Sequence, residues 1–234
     1  MASIKRHIPN VITCGNLFSG CIAVTMAFSG EFRLALLFIV LGAVFDFFDG
    51  LVARLLRVSS PMGVEIDSLA DDVTFGFAPA AVVFVYMRGL SYPLFLSSVA
   101  EYIPYLAFLI AIFSAMRLAK FNIDKRQTSS FIGLPTPANA LFWVSLVVGC
   151  GSWIQDNLHY AWLLMIALIF LFSYLLVSEI PMFSLKFKRL AWRANKIRYI
   201  FLLSILPMFI LGLSSAVLII SWYVILSVIR SLRR

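Results

Sequence analysis

Apolar stretches of roughly 18 or more residues with few charges recur along almost the whole chain, and each can cross a bilayer core of about 30 Å as a helix. Eight such runs are legible, approximately Val11–Ser29, Leu34–Leu56, Ile66–Met87, Leu94–Phe121, Pro137–Ile154, Tyr160–Ser178, Tyr199–Leu213 and Ser215–Ile229. The pattern predicts an all-α, polytopic transmembrane bundle. The first six runs are well separated. The last two are short and meet at the Gly212–Ser215 turn, so that pair reads either as two spans or as one long or re-entrant feature.

Three segments interrupt the pattern. Residues 1–10 carry Lys5, Arg6 and His7 ahead of Pro9 and read either as a short interfacial helix or as a basic tail. Ile180–Arg198 interleaves Phe183, Leu185, Phe187, Leu190 and Trp192 with six cations, a composition suited to anionic lipid headgroups or to a plain connector. The third is the loop Asn122–Pro137. No repeat, low-complexity tract or soluble domain is visible. The expected organisation is therefore one membrane domain over 1–234: an N-terminal segment, a six-span core over 11–178, a basic connector over 179–198 and a helical pair over 199–234.

Composition agrees, with 62% hydrophobic residues and a mean hydropathy of +0.98. Charge placement adds an orientation. With the N-terminus inside, all but Arg33 and Arg88 of the 19 Lys and Arg residues fall on the inner side, as the positive-inside rule requires. Both termini, and the inner-side polar groups, are then expected in the cytoplasm, in a cell inner (cytoplasmic) membrane. The net charge of +8 is spread over membrane-flanking loops, which argues against nucleic acid and for anionic membrane lipids. Cys14, Cys21 and Cys150 form no paired motif, and His7 and His159 lie far from the acids described next.

Only eleven acidic residues occur, and six of them, Asp46, Asp49, Glu65, Asp67, Asp71 and Asp72, fall within one short stretch. Asp46 and Asp49 are three apart at the inner end of the second run; Asp67 and Asp71 are four apart at the start of the third, so each pair shares a helical face. Pro61 and Gly63 are expected to end one helix and return the chain, bringing the pairs face to face. Four carboxylates near hydrocarbon repel and are costly to desolvate, and a divalent cation is the natural compensator. An all-oxygen set favours Mg²⁺ or Mn²⁺ over Zn²⁺.

The full pattern is Asp46-x-x-Asp49-Gly50-x-x-Ala53-Arg54, eight residues, then Gly63-x-x-x-Asp67-x-x-x-Asp71. It resembles the CDP-alcohol phosphotransferase signature at every position. Gly50 and Ala53 remove bulk from the carboxylate face, Arg54 can offset phosphate charge, and Gly63 permits a turn or a close approach. The resemblance implies that Asp46, Asp49 and Asp67 hold metals, two ions in all, that bridge the diphosphate of a CDP-lipid. Asp71 would act as ligand, general base or both, in a substitution that releases CMP. Asp72 lies outside the signature and is read as solvated or hydrogen-bonded support.

Outside the signature, Ile8-Pro9-Asn10 with Thr13 and Asn16, Arg117-Leu-Ala-Lys120-Phe-Asn122, and Phe131-Ile-Gly133-Leu-Pro135-Thr136-Pro137-Ala138-Asn139-Ala140 resemble the phosphatidylserine synthase branch. That branch implies CDP-diacylglycerol and L-serine as substrates, and the family implies a homodimer. Arg117, Lys120, Asn122 and Thr136 are the candidate serine-binding residues: cations at the end of the fourth run face a fifth helix whose start Thr136-Pro137 can cap. Glycerol phosphate or inositol phosphate could use the same cations. An ion-coupled transporter would show repeated halves, and a prenyltransferase would not be expected to carry Gly50, Ala53, Arg54 and Gly63 at these spacings.

Overall fold

The computed structural model describes residues 2–124, 131–183, 200–205 and 207–232. Its helices are α1 (Ala2–Phe28), α2 (Phe32–Leu56), α3 (Pro61–Asp71), α4 (Ala78–Arg88), α5 (Leu109–Ile123), α6 (Thr136–Asn157), α7 (Ala161–Val177) and α8 (Ser215–Leu232). Among the described residues, six stretches are long and apolar enough to cross a bilayer: His7–Phe28, Phe32–Leu56, Pro61–Arg88, Ile103–Ile123, Thr136–Asn157 and Gly212–Leu232. At 17 residues, α7 stands at the short end of what a span requires.

The seventh expected run is not a continuous helix. Residues 200–205 are helical, and Pro207–Ser214 forms a tight 3₁₀ segment broken at Gly212, whose φ of 59° lies in the left-handed region that a glycine enters without strain. The fourth run also starts late: a 3₁₀ turn over Ile103–Phe108 leads into α5, and the Leu94–Leu96 turn stands apart from it with Leu94 and Phe95 exposed. The N-terminal segment is no separate interfacial helix, because α1 runs unbroken from Ala2 through Pro9. Most of the basic connector lies outside the described residues.

The core sits between the third and fifth spans. In the apolar windows of Pro61–Arg88 and Thr136–Asn157, 61% and 56% of residues are buried, against 33% or fewer in the other spans, whose large exposed side chains suit lipid contact. Trp143, Phe75, Ile39 and Met87 are among the largest side chains fully enclosed there. Around this pair, α1 packs chiefly on α2 and also touches α3 and α4.

Two local features position the site. The chain leaves α2 at Arg57, in a left-handed conformation (φ 51°), and re-enters helix at Ser60, whose hydroxyl accepts from the Gly63 N–H; Pro61 occupies the first turn of α3. Pro61 thus starts a helix rather than ending one, since its missing N–H is no loss at that position. Between α3 and α4 the helix widens into a π turn over Asp72–Phe77, with the Ala78 N–H reaching back to Val73 O. Pro79 accounts for the widening: in regular α-helix it would leave the Phe75 carbonyl without a donor and crowd it.

A two-residue antiparallel pair, β1 (Phe131–Ile132) with β2 (Pro181–Met182), ties the segment after α5 to the end of α7. Gly133 follows at φ 76°, with its N–H on Ile180 O at 3.0 Å, and the Leu134 N–H bonds Leu175 O at 2.9 Å. A Cβ on Gly133 would lie 2.5 Å from Leu176 O, so this approach requires glycine.

Candidate active site

The two carboxylate pairs do face each other. Ligand oxygens of Asp46, Asp49 and Asp67 all lie within 4.8 Å of one another, the grouping expected of a divalent-cation site. The donor set fits such an ion. It is all carboxylate, Asp49 is buried, and Oδ1 of Asp67 is buried with no hydrogen-bond partner. Asp71, one turn beyond Asp67, is not among the three grouped carboxylates but lies within electrostatic reach of all of them.

Beside the triad opens a cavity of about 200 Å³ lined by Pro9, Asn10, Thr13, Asp49, Gly50, Ala53, Val58, Ser59, Ser60, Gly63, Val64 and Asp67. Four of the five residues expected to bind a CDP-lipid therefore meet there: Asp49, Gly50, Ala53 and Gly63. Nothing stands within 4 Å of where a Gly50 side chain would begin, which leaves room for a ligand against α2. Gly63 serves close approach rather than a turn: it lies within α3, and a Cβ would come 2.9 Å from Asn10 Oδ1 and from Ser60 Oγ. Arg54 does not line the cavity; its Nε donates to Gly50 O at 2.8 Å, one turn back along α2.

Residues of α1 complete the carboxylate side. Thr13 Oγ1 stands 2.6 Å from Asp49 Oδ2 and 3.0 Å from Pro9 O, and Asn16 Nδ2 donates to Asp71 Oδ1 at 3.0 Å. The sequence offered Asn10, Thr13 and Asn16 only as a branch resemblance, without a role. Their spacing already placed Thr13 and Asn16 on one face of an apolar helix, but their partners emerge only when α1 packs on α2 and α3.

The candidate acceptor residues divide. Arg117 is buried on α5 at 7% exposure, its Nε has no partner, its guanidinium sits 5.4 Å from the Phe121 ring centroid, and Asp71 and Tyr223 lie within electrostatic reach. Lys120 turns instead to the end of α7, where Nζ approaches Val177 O at 3.3 Å and Glu179 Oε1 at 3.4 Å in an exposed pair. Asn122 donates to Ser68 Oγ at 2.8 Å, joining α5 to α3. Thr136 does not cap α6; Pro135 holds the cap position, and Thr136 Oγ1 is buried without a partner. One turn on, Asn139 accepts from Trp143 Nε1 at 3.1 Å and leaves its own Nδ2 buried and unpaired. Asp72 opens the π turn half-buried, with Oδ1 buried and likewise unpaired.

A sequence model described as CDP-alcohol phosphatidyltransferase matches residues 6–173. A protein of Bacillus subtilis (strain 168) named CDP-diacylglycerol–serine O-phosphatidyltransferase is 39% identical over 137 residues, covering 56% of this chain and 70% of its own length. A protein of the same name from Helicobacter pylori (strain 26695) is 31% identical over 228 residues, covering 95% of this chain and 90% of its own. One from Saccharomyces cerevisiae is 34% identical over 168 residues, covering 65% and 56%.

Proposed function

The chain belongs to the CDP-alcohol phosphatidyltransferase family, and from that premise we propose that it transfers the phosphatidyl group of CDP-diacylglycerol to L-serine, yielding phosphatidylserine and CMP. The observation that carries this reading is the grouping of Asp46, Asp49 and Asp67, two of which, Asp49 and Asp67, line a cavity whose α2 wall carries only Gly50 and Ala53 beside Asp49. It is a multi-pass membrane enzyme. The inner-side clustering of cations supports a cytoplasmic site in the inner membrane.

Asp46, Asp49 and Asp67 would hold two Mg²⁺ or Mn²⁺ ions, and Asp71, one turn beyond Asp67, would stand beside them. When bound, such cations neutralise the diphosphate and the charge that develops on departing CMP. The chain's own groups do the rest. Asp49, Gly50, Ala53 and Gly63 border the nucleotide cavity, and Arg54, tied to Gly50 O through Nε, would have to exchange that bond to reach phosphate. The serine hydroxyl forms a bond to the phosphatidyl phosphorus as the bond to CMP breaks, and Asp71 takes the hydroxyl proton. Arg117 receives the serine carboxylate, since a buried guanidinium with an unpaired N–H is matched by a planar anion. Lys120 and Asn122 hold α5 to the end of α7 and to α3, and so support the helix that carries Arg117.

Buried Arg117 would also suit a phosphorylated alcohol, so glycerol phosphate is the second reading. Purified protein, supplied with CDP-diacylglycerol and a panel of serine, ethanolamine, glycerol phosphate and inositol phosphate, decides by CMP release. Release with serine alone is the expected result. Release with glycerol phosphate and none with serine would overturn the acceptor, and no release with any alcohol would overturn the transfer itself.

A further inference from the structure

We propose that Asn16 is a positioning residue for Asp71, an inference that rests on the phosphatidyl-transfer reading in which Asp71 takes the acceptor proton. Asn16 is fully buried in the middle of α1 and grips the start of the π turn at two points. Its side-chain Nδ2 donates to Asp71 Oδ1 at 3.0 Å, and its backbone carbonyl accepts from Thr74 Oγ1 at 3.1 Å. Asp71 and Thr74 are three residues apart across the point where the helix widens, so Asn16 fixes both the rotation of the carboxylate and the register of the turn beneath it.

The chemistry of the amide suits the task. A neutral amide donor holds one carboxylate oxygen in place and leaves the other unobstructed, without bringing a further charge into the cluster. Packing alone does not account for the residue. Oδ1 of Asn16 is buried with no partner, a cost that an apolar side chain of the same size would avoid. The neighbouring helix also makes room for it: a Cβ on Gly42 would stand 2.9 Å from Asn16 Oδ1 and 2.5 Å from Thr74 Cγ2. Three helices therefore converge on one amide.

The test uses the full chain, purified in detergent, with Asn16→Leu, Asn16→Asp and Thr74→Val. Serine and CDP-diacylglycerol kinetics are measured beside Mn²⁺ binding by electron paramagnetic resonance. Asn16→Leu should lower kcat about 10–100-fold, a part of the roughly 10²–10⁴-fold that a positioned base supplies, with Mn²⁺ affinity and the CDP-diacylglycerol KM unchanged. Asn16→Asp keeps the shape without the donor and should lose kcat similarly, which covers the case in which leucine prevents folding. Thr74→Val should give a smaller loss of the same kind that does not add to that of Asn16→Leu. Wild-type kcat in a folded Asn16 variant would overturn the proposal, as would a parallel fall of kcat and Mn²⁺ affinity. A wild-type chain that releases no CMP with serine would instead remove the underlying reading.

Discussion

Each carboxylate in the cluster has a different neighbour, and the variants should separate accordingly. Asp67 has a buried, unpaired oxygen and lies within reach of Asp46 and Asp49, so Asp67→Ala should abolish CMP release while leaving a folded protein. Asp46→Asn should raise the melting temperature in EDTA, because one repelling charge is gone, and lose that advantage in excess Mn²⁺; an unchanged order in the two conditions would count against a metal. Asp71→Asn removes the proposed proton acceptor with little change of shape and should lower kcat by about 10²–10⁴-fold. If excess Mn²⁺ restored its turnover, Asp71 would be chiefly a ligand. Arg117→Ala should mainly raise the serine KM, and ethanolamine, which lacks the carboxylate, should not benefit from Arg117 at all. The acids were legible in the sequence because carboxylates are scarce in an apolar chain and stand at fixed spacings. The donors that hold them were not, since Thr13 and Asn16 are ordinary residues of an apolar helix until the helices opposite bring Asp49 and Asp71.

Helix ends decide how the elements present these groups. The Ser60–Pro61 pair carries a start signal, a hydroxyl cap followed by proline in the first turn, and reading the proline as a stop mistook the beginning of α3 for the end of α2. Thr136-Pro137 misled in the opposite sense: the start of α6 was correctly located, but the threonine lies one residue inside the cap. The π turn had no comparable local signal, because the effect of Pro79 is felt upstream of it. Gly133 is the most sensitive link between elements. Gly133→Ala forces a side chain into the left-handed region and against the Leu176 carbonyl, and should destabilise by about 1–3 kcal/mol or more, measured as a fall in melting temperature. A neutral result would mean that the β1–β2 pairing is dispensable for stability.

For the whole molecule, helix count and membrane orientation are separate questions. The alternation of spans puts Arg33 and Gly89 around one cavity at the end of the bundle opposite the aspartates. With the active site in the cytoplasm, that end faces outward. On a background lacking Cys14, Cys21 and Cys150, Glu31→Cys should react with a membrane-impermeant maleimide in intact cells, and Ser231→Cys only after permeabilisation. The reverse pattern would invert the molecule. The C-terminal pair was not legible beforehand because apolarity alone does not distinguish a continuous helix from one interrupted at Pro207 and Gly212.

The contribution of α1 to the carboxylates also bears on how the enzyme is made. A ribosome delivers α1 through α4 first, and those residues already contain Thr13, Asn16 and all four signature aspartates. Arg117 enters the membrane later, on α5, and the segments that Lys120 and Tyr223 contact follow later still. The nucleotide half of the proposed site therefore emerges before its acceptor half. An insertion machinery that receives α2 must shelter Asp46 and Asp49 only until the next hairpin arrives, while α1 is already present to receive them.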